Sequence, residues 1–284
     1  MTRVLVTGAG GQLGRDLVEA FAAEGPGKGH QLVAVDRARL DVTDRDAVVG
    51  ALVSVRPEVV IHAAAWTAVD ACEEDPERAL AVNALGTRHV ADGARRVGAH
   101  VCYLSTDYVF DGTATRAYDE WDEPNPLSVY GRSKLAGEGE LDPGAAVVRT
   151  SWVCGRHGSN VVRTVLRMAA GTGPLRFVDD QRGCPTFTSD LAGAVRSLAL
   201  SRRPGVFHVT NQGPTTWFGF ARSIMAAAGQ DPGRVEAIPT SALSRPAPRP
   251  ANSVLDNAAL RLSGLPLLPP WDEALQRLVK ELAA

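Results

Sequence analysis

Arg3-Val-Leu-Val-Thr7-Gly8-Ala9-Gly10-Gly11-Gln12-Leu13-Gly14 joins a strand-like run to a helical pattern through a glycine-rich turn. The run from Arg3 to Thr7 is short and β-branched, and helical spacing continues over about 12–23. Gly8, Gly11 and Gly14 have the spacing G-x-x-G-x-x-G, with Gln12 and Leu13 inside it. The first glycine permits a tight turn, the second lets backbone N–H groups approach a pyrophosphate, and the third lets helix and strand pack closely. The helix N-terminus adds partial positive charge for an anion. A glycine triplet alone is a weak signal. Its place in a strand–turn–helix unit is the context that a dinucleotide site requires.

The next strand, Gln31-Leu-Val-Ala-Val-Asp36, ends in an acid 22 residues after Gly14. A carboxylate there suits the adenosine ribose of NAD, while Arg37 beside it suits a 2′-phosphate, so NADH and NADPH both stay open. Asp41-Val42 falls where an adenine-contacting loop belongs, with a helix-capping Asp as the equal alternative. Thr43 is the expected N-cap of a helix over about 45–55, which Pro57 stops. Glu58-Val-Val-Ile61 reads as a third strand, 77–97 as one long helix and His100-Val-Cys-Tyr-Leu-Ser105 as a fourth strand. A helix over 129–140 and the strand Ala145-Ala-Val-Val-Arg149 follow. Apolar strands alternating with helices mean βαβ units and a parallel sheet buried on both faces. The predicted fold class is α/β, a doubly wound parallel sheet of Rossmann type with a small C-terminal substrate lobe.

The remainder is less regular. Helical patterns recur at 161–170, 190–201, 218–228 and 271–282, with strand-like pieces at 175–178 and 206–210 and dense proline over 239–250. The expected division is a dinucleotide-binding domain over 1–153 and a mainly substrate-binding lobe over 154–284 that returns segments to the sheet. No internal repeat or flexible linker separates them, so close docking is expected.

Composition narrows the class. Hydrophobic residues make up 45% and charged residues 22% of 284, which is ordinary for a globular protein and sets aside disorder and coiled coil. Thirty basic and 32 acidic residues leave a net charge of -2, which argues against a nucleic-acid partner. No apolar run is long enough to cross a bilayer, and no secretory leader is expected before Arg3. Cys72, Cys102, Cys154 and Cys184 show no C-x-x-C spacing and read as free thiols in a reducing cytoplasm. The histidines form no H-E-x-x-H, so no metal motif is present.

Tyr130-Gly-Arg-Ser-Lys134 sets a phenol and an ammonium four residues apart, on one helix face. A neighbouring ammonium favours phenolate, so the tyrosine is expected to exchange a proton with a carbonyl or alcohol oxygen. Lys134 also reaches for ribose hydroxyls. At the end of the fourth strand Thr106 offers a hydroxyl to the same substrate oxygen, at the sheet edge where ligands sit.

These residues match a family. The chain resembles the extended short-chain dehydrogenase/reductases acting on nucleotide sugars, and within them the dTDP-4-dehydrorhamnose reductase family. The marks are Gly8-Ala-Gly-Gly-Gln-Leu-Gly14, Asn83 in Val82-Asn-Ala84, Ser105-Thr-Asp-Tyr-Val-Phe-Asp-Gly112 and Tyr130-Gly-Arg-Ser-Lys-Leu-Ala-Gly-Glu138. Arg149-Thr-Ser-Trp-Val153, Asp180-Gln-Arg-Gly-Cys-Pro-Thr186 and Arg249-Pro-Ala-Asn-Ser253 are further marks, and the likeness spans almost the whole chain. The resemblance implies Thr106, Tyr130 and Lys134 as the catalytic set and reduction of a dTDP-4-keto sugar by NADPH or NADH. It places Ala63, Ala64, Ala65, Thr67 and Ser105 along the cofactor. It places Asp107, Tyr108 and Trp152 at the sugar and Arg249 at the diphosphate. A homodimer is implied by relatives. Some relatives carry magnesium between subunits; Asp16 is acidic near that place but Ser189 is not, so no required metal is expected.

Two other readings stay open. A nucleotide-sugar epimerase or 4,6-dehydratase would retain its cofactor, and a dehydratase would carry Asp-Glu after the threonine, where this chain has Asp107-Tyr108. A non-catalytic regulatory subunit of methionine adenosyltransferase shares the resemblance. Nothing in the residues fixes which keto sugar is taken, rhamnose or an antibiotic-pathway sugar such as dihydrostreptose.

Overall fold

The structure, a computed structural model, describes residues 1–23 and 30–283. In the first half β1 (Thr2–Thr7) leads to α1 (Gln12–Ala22), β2 (His30–Val35), α2 (Arg45–Val55) and β3 (Val59–His62). Then come α3 (Val69–Glu74), α4 (Pro76–Leu80), a π-helical turn (Ala81–Leu85) and α5 (Gly86–Val97). β4 (His100–Thr106) runs into a short 3₁₀ turn (Asp107–Val109), before α6 (Val129–Glu138) and β5 (Ala146–Thr150).

The second half holds β6 (Val153–Cys154), α7 (Val161–Ala169), β7 (Leu175–Val178), β8 (Arg182–Gly183), β9 (Thr186–Phe187) and α8 (Thr188–Ser201). It ends with β10 (Gly205–His208), β11 (Thr215–Thr216), α9 (Trp217–Ala227), β12 (Val235–Ile238), α10 (Ala258–Leu262) and α11 (Trp271–Ala283).

Six strands form one sheet in the order β10-β5-β4-β3-β1-β2, every pair parallel. The chain leaves β1 to one side for β2, then crosses to the other for β3. That reversal opens a crevice at the C-terminal ends of β1 and β3, where ligands of such sheets bind. Alternation along the strands sorts the core. Val4, Val6, Val59, Ile61 and Leu104 meet α1 and α8 on one face through Leu17, Leu191 and Val195. Leu5, Val60 and Val101 meet α2 and α5 on the other through Val48, Leu52 and Val90. A separate cluster around Val165, Leu175, Phe187, Phe220, Ile224 and Leu278 forms the core of the smaller lobe.

Several local expectations are corrected. The N-cap of α2 is Asp44, whose carboxylate accepts from Ala47 N at 3.0 Å; Thr43 is turned to Asp41 instead. The helical stretch expected over 77–97 forms, running on from Pro76, but with one wider π turn between α4 and α5 that carries Asn83. β12 was not legible, and it pairs parallel with β7. All four cysteines are buried and free. Among the described residues no helix is long and apolar enough to cross a membrane.

Candidate active site

Two adjoining cavities, of about 630 and 360 Å³, meet over the turn after β1 and share Gly8, Gly10, Gly11, Ala63 and Ala65. Gly8 has φ +71, and a Cβ on it would lie 2.6 Å from Ala64 N and 2.7 Å from Ala63 C. Only glycine lets the two strand ends approach this closely. Gly11 caps α1 with no side-chain acceptor, so the first N–H groups of the helix stay available to an anion. Gln12 is drawn toward the second lobe. Its amide donates to Ser159 O at 3.3 Å and accepts from Asn160 Nδ2 at 2.9 Å.

The smaller cavity contains Asp36, Arg37, Asp41, Val42 and Ala64. Asp36 Oδ1 accepts from Arg39 N at 3.1 Å, which fixes the carboxylate at the end of β2. Arg37 is exposed and lies 3.6 Å from Asp41. The amide and hydroxyl of Thr43 both donate to Asp41 and hold its carboxyl below the usual range. Sequence reasoning missed Trp66 and Arg78, which line the same cavity with the guanidinium 4.3 Å from the indole centroid. It quoted Asn83 only as a family mark. The Asn83 amide accepts from Trp66 N at 2.8 Å and donates to Trp66 O at 3.1 Å and to Ser133 Oγ at 2.9 Å, tying Trp66 to α6.

The larger cavity brings together Thr67, Thr106, Asp107, Tyr108, Tyr130 and Lys134. Ser128 caps α6 by accepting from Gly131 N, and Glu73 accepts from Val129 N at 2.6 Å; together they seat the turn that carries Tyr130. Thr106 Oγ1 donates to Asp107 Oδ1 at 3.0 Å and accepts from Tyr108 N at 3.2 Å. Burial pushes the Asp107 carboxyl up to about 7, with the Ser253 and Thr106 hydroxyls opposing. Burial also raises the Tyr130 phenol above its ordinary value, the Thr106 hydrogen bond opposing weakly. Burial thus opposes the lowering of the Tyr130 pKa that the Tyr–Lys spacing predicts. Lys134 is itself driven down to about 7 by burial, with Glu138 opposing, and its Nζ is buried without a hydrogen-bond partner.

Two expected residues have their polar groups engaged elsewhere. The Ser105 hydroxyl donates to Glu138, which also holds Arg149 in a buried pair at 2.8 Å, so Ser105 reaches the cavity without a free hydroxyl. Arg249 is clamped by Asp70 of α3 through two hydrogen bonds of 2.6 and 2.8 Å and lines neither cavity. Trp152 does line the larger cavity, at φ +45, stacked 3.6 Å from Trp217, which sequence reasoning also missed. Its one signal was an aromatic directly after the capping Thr216.

Asp16, Glu19 and His157 cluster on the opposite side of α1. Arg156 already pairs with Asp16, Glu19 and Glu281, so a guanidinium meets these carboxylates and the set does not fit a divalent cation.

Residues 1–284 match the family model described as RmlD substrate binding domain. A dTDP-4-dehydrorhamnose reductase of Streptomyces griseus is 43% identical over 282 residues, covering 96% of this chain and 91% of the relative. The solved dTDP-4-dehydrorhamnose reductase of Clostridium acetobutylicum has a TM-score of 0.95 at 39% identity, with full coverage of both chains. That of Bacillus anthracis, solved in complex with NADP, has 0.93 at 37%, covering 99% of this chain and 100% of the other. A glycine cradle too tight for any Cβ, an uncapped helix start and a buried, unpartnered lysine thus lie in a chain that belongs to the RmlD substrate binding domain family.

Proposed function

We propose that the protein reduces the C4 ketone of a dTDP-4-keto-6-deoxy sugar with NADPH or NADH, and that the sugar is dTDP-4-dehydro-L-rhamnose. The observation that carries this is the convergence of Thr106, Tyr130 and Lys134 on the cavity that adjoins the glycine turn. When bound there, the reduced nicotinamide supplies the hydride. The open start of α1 and Gly11 hold the pyrophosphate, and Asp36 and Arg37 face the adenosine end. Lys134, whose Nζ has no hydrogen-bond partner among the described residues, takes the nicotinamide ribose hydroxyls as acceptors. Thr106 orients the carbonyl oxygen, and Tyr130 donates its proton to the oxygen as negative charge develops. A raised phenol pKa suits this direction, since the group must arrive protonated. Tyr108 and the stacked Trp152 and Trp217 wall the sugar side.

The dTDP sugar is the partner proposed for the cleft, within the cytoplasm and in a homodimer. The test is loss of reduced-nicotinamide absorbance on adding dTDP-4-dehydro-L-rhamnose, with Tyr130→Phe and Lys134→Ala as controls. Turnover that falls by about 10²–10⁴ in Tyr130→Phe supports the assignment. No turnover by folded, cofactor-binding protein overturns it. Cofactor retained through purification would turn the reading toward an epimerase or dehydratase.

A further inference from the structure

Lys134 is buried, and among the described residues no anion lies within hydrogen-bonding reach of its ammonium. Glu138, one turn further along α6, is already spent on Ser105 and Arg149. What the ammonium does meet is an aromatic face: Nζ lies 4.0 Å from the ring centroid of Tyr103. A cation over a ring is held by the negative face of its quadrupole, most strongly where water is excluded. Burial holds the Tyr103 phenol well above its ordinary value, so the ring is neutral and the attraction is to the π face.

The ring has little freedom. Its hydroxyl lies 3.4 Å from both Asn83 O and Lys134 O, to which it donates. Any side chain at Gly137 would strike this hydroxyl, with the ring carbon bearing it only 3.1 Å away. His62 stacks on the ring at 5.6 Å. Thr87 gives its proton to Asn83 O, so it accepts from His62 Nε2–H at 3.3 Å, and His62 Nδ1 accepts from Thr7 at 2.7 Å. Burial drives His62 down to about 3, so it stays neutral and adds no charge against the lysine.

We infer that Tyr103 is a positioning residue whose ring face seats the Lys134 ammonium, aiming it into the cleft and favouring its charged form. The inference rests on the role proposed above for Lys134. The titratable and charged groups around α6 are Tyr130, Arg132 and Glu138 on the helix itself, Tyr103 on β4, Arg149 on β5, His62 on β3, and Asp107 and Tyr108 on the 3₁₀ turn. Cys72 and Glu73 on α3 and Arg78 on α4 complete them, while the π turn and α5 present neutral Asn83 and Thr87.

The test reads the lysine directly. The chain contains only Lys28, Lys134 and Lys280, so protein labelled with 13Cε-lysine gives a three-signal NMR titration. In cofactor-free protein Tyr103→Leu is expected to lower the Lys134 midpoint by about one pH unit, and Tyr103→Phe to shift it by no more than about 0.3. The alkaline limb of kcat/KM against pH is expected to move toward acid by the same amounts. An unchanged midpoint in Tyr103→Leu, or an equal fall in Tyr103→Phe, overturns the inference. Should Tyr103→Leu fail to fold, pentafluorophenylalanine in place of Tyr103 keeps the shape and reverses the quadrupole. It is expected to lower the midpoint by about one unit relative to Tyr103→Phe, and no shift overturns the inference. Wild-type protein that titrates as expected but reduces no dTDP-4-keto sugar overturns the functional reading and leaves the seat of Lys134 standing.

Discussion

A threonine hydroxyl has one proton, and Thr106 gives it to Asp107. With the carboxyl pushed up to about 7, Asp107 holds its own proton through much of the neutral range and can return one to Thr106, freeing that hydroxyl for a carbonyl oxygen. The same shift has a stability consequence. Between an ordinary value of 3.8 and a folded value of about 7, the folded state binds the proton that the unfolded chain releases. Wild-type stability therefore falls as pH rises through that window. Asp107→Asn is expected to gain on wild type across it, by up to roughly 4 kcal/mol, in urea unfolding near pH 4 and near pH 8. Lys134 has the opposite sign: its folded value is depressed from 10.5 to about 7, so stability is lost as pH falls through that interval. Lys134→Met is expected to raise stability at neutral pH by about 1–3 kcal/mol, fading above about pH 10, while turnover disappears. Thermal melts across pH with a parallel rate assay check both halves.

At the scale of elements, α2 and α6 start with the same kind of cap, Asp44 in one and Ser128 in the other. Removing either by Ala is expected to cost about 1 kcal/mol. The functional outcomes should differ. Ser128→Ala loosens the turn that carries Tyr130 and should lower kcat several-fold, whereas Asp44→Ala should leave it unchanged. Equal losses of kcat would contradict the proposed role of that turn. The contrast between these helices also shows what the sequence could reveal. β1, its turn and α1 were legible because the apolar period changes from two to helical across three glycines. Thr43 and Asp44 are adjacent capping residues, and propensity does not choose between them. The π turn hides inside continuous helical spacing, since one wider turn leaves almost no trace in periodicity. The Asp70–Arg249 pair joins positions 179 residues apart, and the Trp152–Trp217 stack joins two segments distant in the sequence. Such pairings belong to tertiary packing, so the residue types were visible and their partners were not.

For the whole molecule, the cleft lies at the sheet edge beside the smaller lobe, and the two tryptophans line it from that lobe's side. Trp217→Ala is expected to raise KM for the dTDP sugar about tenfold or more while leaving the Kd for NADPH unchanged, as separate titrations would show. A change confined to NADPH would remove Trp217 from the sugar wall. The sixth strand adds a condition on how the molecule is made. β10 closes the outer edge of β5, yet it emerges more than fifty residues after that strand. At synthesis rates of about 5–20 residues per second this means several seconds on the ribosome during which a buried-type strand offers its open edge to any neighbouring chain. A fragment ending at Val153 is expected to aggregate, and light scattering during its synthesis checks this. Nascent chains of this protein thus depend on holding β5 apart from other polypeptides until its own late partner arrives.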